Sequence, residues 1–169
     1  MQNHNTPIKP ELLAPCGSLE SFFAAMENGA DAVYAGLREF SARARAKNFT
    51  LGQMARMLAY AHQRNRRIYV TINTLVKEKE LHPLADTLAE LARINVDGVI
   101  VQDMAVARLV RQHFPSIPLH ASTQMTVHNL PGVLLLQELG FERIVLAREL
   151  QFQDISAIAS RTTAELEIF

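Results

Sequence analysis

The 169-residue chain has a single cysteine, no net charge and no apolar run of membrane-spanning length. Each deficit removes a class of protein. A lone Cys16 cannot build a disulfide framework and fits a reducing, cytoplasmic setting. Seventeen basic residues offset seventeen acidic ones, so no global field draws in nucleic acid or an anionic membrane. A local basic patch on a larger protein remains compatible with an RNA substrate. The opening MQNHNTPIKP is polar and lacks an apolar signal region, so no membrane partner is expected. No Gly-rich or Pro-rich linker and no low-complexity segment divides the chain. What is there, 49% hydrophobic and 20% charged, is ordinary for one globular core.

Short β-rich runs alternate with amphipathic segments. The runs are Glu11–Pro15, Ala32–Gly36, Ile68–Asn73, Gly98–Gln102, Leu119–Ser122, Arg143–Ala147 and Glu165–Phe169. Continuous apolar runs with β-branched residues predict strands covered on both faces. Between them, Leu51, Met54, Leu58 and Ala61, and again Leu84, Leu88 and Leu91, follow helical spacing.

The joints repeat as well. GADAVYAG, NRRIYVTI, NVDGVIVQ and GFERIVLA align without gaps from Gly29, Asn65, Asn95 and Gly140. Gly and Asn tolerate the left-handed conformation that ends a helix. Ser18, Thr50, Asp103 and Asn129 are candidate N-caps, with Pro131 in a first turn. The pattern is that of an α/β fold, either a wound sheet or a (β/α) barrel with parallel strands alternating with helices. A closed barrel needs about 250 residues. The expectation is therefore a flexible segment over residues 1–10, then an incomplete (β/α) barrel domain over 11–169 of a longer protein. About seven strands are expected, with the barrel truncated before closure. Unpaired strand edges at either side would favour an edge-mediated homodimer.

In either architecture ligands bind at the carboxyl ends of strands. The candidates are Pro15 to Ser18, Gly36 with the following FSARARAKNF, Asn73 and Thr74, Gln102, Asp103, Ser122 to Gln124, Arg148 and Glu149. This rim suits a small polar or anionic ligand. Arg43 is the preferred anion binder in a basic loop that also holds Asn48. Asp103 and Glu149 are weak candidates for acid–base catalysis, although Asp103 is equally an N-cap and Glu149 a first-turn residue. His120 and His128 lack the i, i+4 spacing of a zinc enzyme, so no metal is predicted. His120 should share a strand face with Ser122 and line the interior as a hydrogen-bonded histidine. Cys16 lies where a helix N-terminus depresses a thiol pKa, but no base is placed beside it by spacing.

ELLAPCGSLESFFAAMENGADAVYAGLREFSARARAKNF, INTLV, HASTQMTVHN and IVLARELQFQDI together resemble the N-terminal part of the U-thirty-two peptidase family, the collagenase-like peptidases. The likeness runs from about Glu11 to Phe169. It implies a (β/α) barrel-like N-terminal domain. It also implies kinship with oxygen-independent hydroxylases acting on tRNA wobble uridine, a ribosomal RNA cytidine or ubiquinone precursors. Those systems use an iron–sulfur cluster held by four cysteines, with prephenate implicated as the hydroxyl source. Position 16 is cysteine where such proteins usually carry a small residue such as alanine, so Cys16 is not a family catalytic residue. One cysteine cannot hold a four-thiolate cluster, so that cofactor is expected only in the full-length protein, and this stretch alone is expected to be inactive.

Three functions compete at this point. The first is the substrate-binding half of a prephenate-linked RNA hydroxylase, with Arg43, Asn48, Asn73, Ser122, Gln124 and Arg148 holding ligand. The second is a peptidase, as the family name says. The third is a non-enzymatic accessory subunit.

Overall fold

The computed structural model describes residues 9–42 and 48–169. Its rhythm is set where helices end. Gly29, Asn65, Asn95 and Gly140 have φ of 92°, 54°, 54° and 89°, so all the expected joints adopt the left-handed conformation. Each reverses the chain from a helix into a buried strand. The elements are β1 (Leu13–Cys16), α1 (Leu19–Glu27), β2 (Ala32–Gly36), α2 (Leu51–His62), β3 (Arg67–Ile72), α3 (Leu81–Arg93), β4 (Gly98–Val101), α4 (Met104–His113), β5 (Leu119–Ala121), α5 (Leu130–Glu138), β6 (Arg143–Val145), α6 (Phe152–Ala159) and β7 (Glu165–Glu167). Helix starts follow the sequence too. Ser18, Thr50, Asp103 and Asn129 each accept a backbone N–H of the first turn.

All pairings are parallel and strictly sequential, β1 through β7, giving an open half-barrel. Within the described sheet, β1 and β7 each keep one unpaired edge. The convex face is apolar throughout. Val33, Ala35, Val70, Val99, Val101, Ala121 and Ile144 pack beneath the helices against Phe22, Met54, Leu58, Leu84, Leu88 and Leu91. Each buried leucine here contributes about 1.5–3 kcal/mol relative to exposure.

The concave face departs from expectation. Register aligns Tyr34 with Tyr69, Tyr69 with Gly98, Ile100 with His120, His120 with Arg143, and Arg143 with Glu165. Only Ala32, Tyr69 and Ile100, with Leu13 and Tyr34 against them, form an apolar patch. From β5 onward the lower interior is polar and ionic, because β5, β6 and β7 turn His120, Arg143 and Glu165 inward.

Arg143 is the centre of this layer. Its side chain is 8% exposed and its Nη1 donates to Glu11 Oε1 at 2.7 Å. Its Nε donates to Glu165 Oε2 at 2.8 Å, and its Nη2 pairs with the same carboxylate. The guanidinium lies 4.7 Å from the Tyr69 ring centre. Glu11, expected inside the first strand, instead precedes β1 and turns inward. There it accepts the Tyr69 hydroxyl at 3.0 Å and pairs with Arg67. One carboxylate thus links β3 and β6 to the chain entering β1.

Removing one member of a buried charge group strands the others without solvent. Arg143→Ala should lower unfolding free energy by about 3–5 kcal/mol. Arg93→Ala, which breaks an exposed pair with Glu90, should change it by less than about 1 kcal/mol. Urea denaturation of both variants checks this; equal effects would refute it.

Candidate ligand-binding site at the strand carboxyl ends

The carboxyl ends of β2 to β7 enclose a cavity of about 220 Å³. Tyr34, Thr71, Asn73, Ser122, Gln124, Arg148 and Glu167 provide its polar groups, and Ile100, Val145 and Phe169 its apolar walls. Three larger cavities lie elsewhere: about 610 Å³ at the amino-terminal end, about 580 Å³ between β1 and β7, and about 350 Å³ beside α6 with mostly apolar walls such as Leu146, Leu150 and Ile155. The inward charges of the first two are already matched in the ionic layer, and the amino-terminal end of such barrels serves stability. The smaller cavity is therefore the better site.

Its floor and wall are preformed. Ser122 is 2% exposed and caps a 3-10 turn over Thr123–Met125. Its hydroxyl accepts Gln124 N at 3.3 Å and donates to Gln124 Oε1 at 3.3 Å. The next connection is tied in when Ala147 N donates to Val127 O at 2.8 Å. Opposite, the chain after β2 is fixed to β3. Ser41 and Thr71 hydroxyls lie 2.9 Å apart, and Ala42 N donates to Asn73 Oδ1 at 3.0 Å. Gly36 permits this approach, since a Cβ there would lie 2.3 Å from Ser41 Oγ and 2.9 Å from Asn48 Oδ1.

The sequence candidates separate cleanly. Asn73, Ser122, Gln124 and Arg148 converge on the cavity. Asn48 sits beside Gly36 at the base of the same connection. Arg43 lies outside the described residues. Asp103 does not line the cavity: its Oδ1 accepts Ala105 N at 2.7 Å and its Oδ2 accepts Val76 N at 3.0 Å. Both carboxylate oxygens are thus committed to backbone. Glu149 occupies an exposed turn before α6 rather than its first turn, and it does not line the cavity either. Cys16 is 1% exposed and belongs to the convex core, where its thiol donates to Ser18 O at 3.6 Å. Sequence reading missed Tyr34, Thr71, Glu167 and Phe169. The alternation that pairs His120 with Ser122 would have found them, carried through the other strands.

Burial sets the charge states. It pulls the His120 pKa down to about 3, with Arg143 and Arg67 adding to the effect, so the ring is neutral. His120 does face the interior, as expected, but it is not the hydrogen-bonded histidine expected there: its buried Nδ1 has no hydrogen-bond partner among the described residues. Glu167 is pushed upward by burial, reinforced by Glu11 and opposed by the Arg143 guanidinium. Burial likewise raises Tyr69, against Arg143. Arg148 is exposed, sits 4.9 Å from the Phe169 ring centre, and has no acidic partner among the described residues. Among those residues no group of three or more His, Cys, Asp or Glu is arranged to hold a metal ion. No helix among them is long and apolar enough to cross a membrane.

A parallel half-barrel with a polar cavity at its strand carboxyl ends is the architecture of a (β/α)-barrel domain. The profile of Peptidase family U32 matches residues 17–169, and the chain belongs to that family. It is similar to tRNA hydroxylation protein P1 of Bacillus subtilis, 37% identical over 161 residues, covering 95% of this chain and 38% of that protein. It is 40% identical over 159 residues to the 23S rRNA 5-hydroxycytidine C2501 synthase of Escherichia coli, covering 94% of this chain and 24% of that one. The chain therefore spans less than two fifths of either relative's length. The solved U32 peptidase Mk0906 superposes with a TM-score of 0.78 at 18% identity, covering 99% of this chain and 71% of that one. That likeness shows the shared fold.

His120 supplies a pH test of the interior. Its folded pKa of about 3 lies below the ordinary histidine value of 6.5, so between these the unfolded chain binds the extra proton. Stability should fall as pH drops through that window. Glu167 acts in the opposite sense, favouring the native state at low pH and losing that contribution as pH rises through its raised pKa. The stability difference between wild type and His120→Phe, measured by urea unfolding, should grow from pH 4.5 to 6.5 by at most about 1.4 kcal/mol per unit. A difference that stays flat would contradict neutral burial.

Proposed function

We propose that this chain forms the substrate-binding barrel of an oxygen-independent RNA hydroxylase acting on a tRNA wobble uridine or a 23S rRNA cytidine, with prephenate as hydroxyl source. The observation that carries this is the convergence of Asn73, Ser122, Gln124 and Arg148 on one cavity. That convergence occurs in a chain 37–40% identical to proteins named for RNA hydroxylation. The work falls to positioning. Arg148, with no acidic partner among the described residues, offers a guanidinium to a carboxylate or phosphate. Gln124 and Asn73 can orient a polar ring, and the Ser122 turn holds Gln124 in place before ligand arrives. The basic FSARARAKNF segment, Arg43 included, adjoins this mouth in sequence and supplies local charge for RNA on a neutral chain.

The iron–sulfur cluster implied by the family resemblance does not fit these residues. Cys16 is their only thiol, and it is enclosed in the convex core. Four thiolates would have to come from elsewhere in a longer protein. A cytoplasmic setting follows from RNA as substrate. Edge-to-edge pairing of two copies draws support only from the unpaired edges of β1 and β7. The peptidase reading gains nothing from the one candidate nucleophile, which faces away from the cavity.

Disrupting the encoding gene in its own organism should remove one 5-hydroxylated pyrimidine from tRNA or rRNA, read by nucleoside mass spectrometry. Resupplied Arg148→Ala should restore about tenfold to a hundredfold less product than wild type, the worth of one charged contact. Unchanged RNA nucleosides, with loss of gelatin cleavage instead, would overturn the reading.

A further inference from the structure

Two carboxamides at the mouth have their oxygens already engaged by the protein. Ala42 N donates to Asn73 Oδ1 at 3.0 Å, and a backbone N–H can bond only the oxygen end of an amide, so that side chain has one orientation. Gln124 is oriented from within its own turn. The Ser122 hydroxyl accepts Gln124 N, which leaves its proton for Gln124 Oε1. What each side chain still has to offer is an NH2 group. Neither nitrogen has a partner among the described residues. Asn73 is half-buried, Gln124 is exposed, and both line the mouth cavity. The buried Thr71 hydroxyl, by contrast, is taken up by Ser41 and the Ala35 carbonyl.

Resting on the RNA hydroxylase reading, we infer that Asn73 and Gln124 hold the target pyrimidine by its O2 carbonyl. Two neutral donors call for a neutral acceptor, and one carbonyl oxygen has lone pairs for both. O2 is the ring substituent that uracil and cytosine share. Position 4 is an acceptor in uracil but an amino donor in cytosine, where the two amides would meet a donor. N3 reverses in the opposite sense, carrying a proton in uracil and a lone pair in cytosine. The amides follow β3 and β5, the strands that flank β4, and Ile100 of β4 supplies an apolar wall for the ring. The cavity, about 220 Å³, suits one unpaired base. C5 lies directly across the ring from C2, so a base gripped at O2 keeps its reacting carbon clear of both donors. The charged group, Arg148, is exposed beside Phe169 and is left for a flanking phosphate. In this role Asn73 and Gln124 select and orient the base; no bond to carbon is made or broken through them.

The test uses the full-length protein and three single-stranded RNA hexamers, oligouridine and its 2-thio and 4-thio counterparts, compared by fluorescence anisotropy. Sulfur is a much weaker acceptor than oxygen. Wild type should therefore bind oligouridine about tenfold more tightly than the 2-thio hexamer, and within about twofold of the 4-thio one. Asn73→Asp and Gln124→Glu each keep the oxygen that the protein bonds and remove only the free donor, which guards the fold. Each should narrow the 2-thio preference to about threefold or less. That preference is a ratio, so the charge each variant adds cancels from it. A preference unchanged in either variant, or an equal penalty for sulfur at positions 2 and 4, overturns the inference. Wild-type binding that ignores both sulfurs overturns it while leaving RNA as substrate. Failure of wild type to bind any hexamer removes both this inference and the reading beneath it.

Discussion

A guanidinium enclosed in the concave face, that of Arg143, is the constraint on which the barrel interior depends. Only 8% of its side chain reaches solvent, so its charge must be answered by protein. Glu165 answers from the adjacent strand, and Glu11 from the chain entering β1. Glu11 can do so only if the sheet curves enough for β6 to face the entry to β1. The ion pairs therefore hold curvature as well as charge. Their field extends to neighbours: Arg143 and Arg67 help keep His120 neutral, while Arg143 opposes the burial that raises Glu167.

This arrangement divides the interior by height. At the base, charged groups are matched to one another and have little left to offer a ligand. At the mouth, Arg148, Gln124 and Asn73 face a cavity, and Arg148 has no acidic partner among the described residues. Glu167 lies at the boundary, within long range of Arg143 yet without a hydrogen bond to it. A base whose charges are matched within the protein, beneath a polar mouth open to ligand, is the division of labour expected of a (β/α) barrel.

Local signals made much of the fold legible. Left-handed joints at Gly29, Asn65, Asn95 and Gly140 announce themselves because few residue types adopt that conformation cheaply. N-caps at Ser18, Thr50 and Asn129 are legible for a similar reason, since a short side chain must reach the first-turn N–H groups. The ionic layer was not legible. Glu11, Arg67, Arg143 and Glu165 stand far apart in sequence, and only strand register brings them together. The same limit applied to the site. Position at strand ends found Asn73, Ser122, Gln124 and Arg148, but also admitted Asp103, whose carboxylate proves to cap α4 and tie down Val76. Glu167 was overlooked because its strand reads as a short polar terminus until parity assigns it to the interior.

The proposed function requires the carboxyl-end mouth, not the charged base or the helical exterior, to receive the pyrimidine. Photo-crosslinking a single-stranded RNA carrying 4-thiouridine to the full-length protein, followed by peptide mapping, measures this directly. Crosslinks should fall on peptides containing Tyr34, Ser122 to Gln124, or Phe169. Crosslinks concentrated around Arg67 and Arg111, or on the outer helices, would contradict the account.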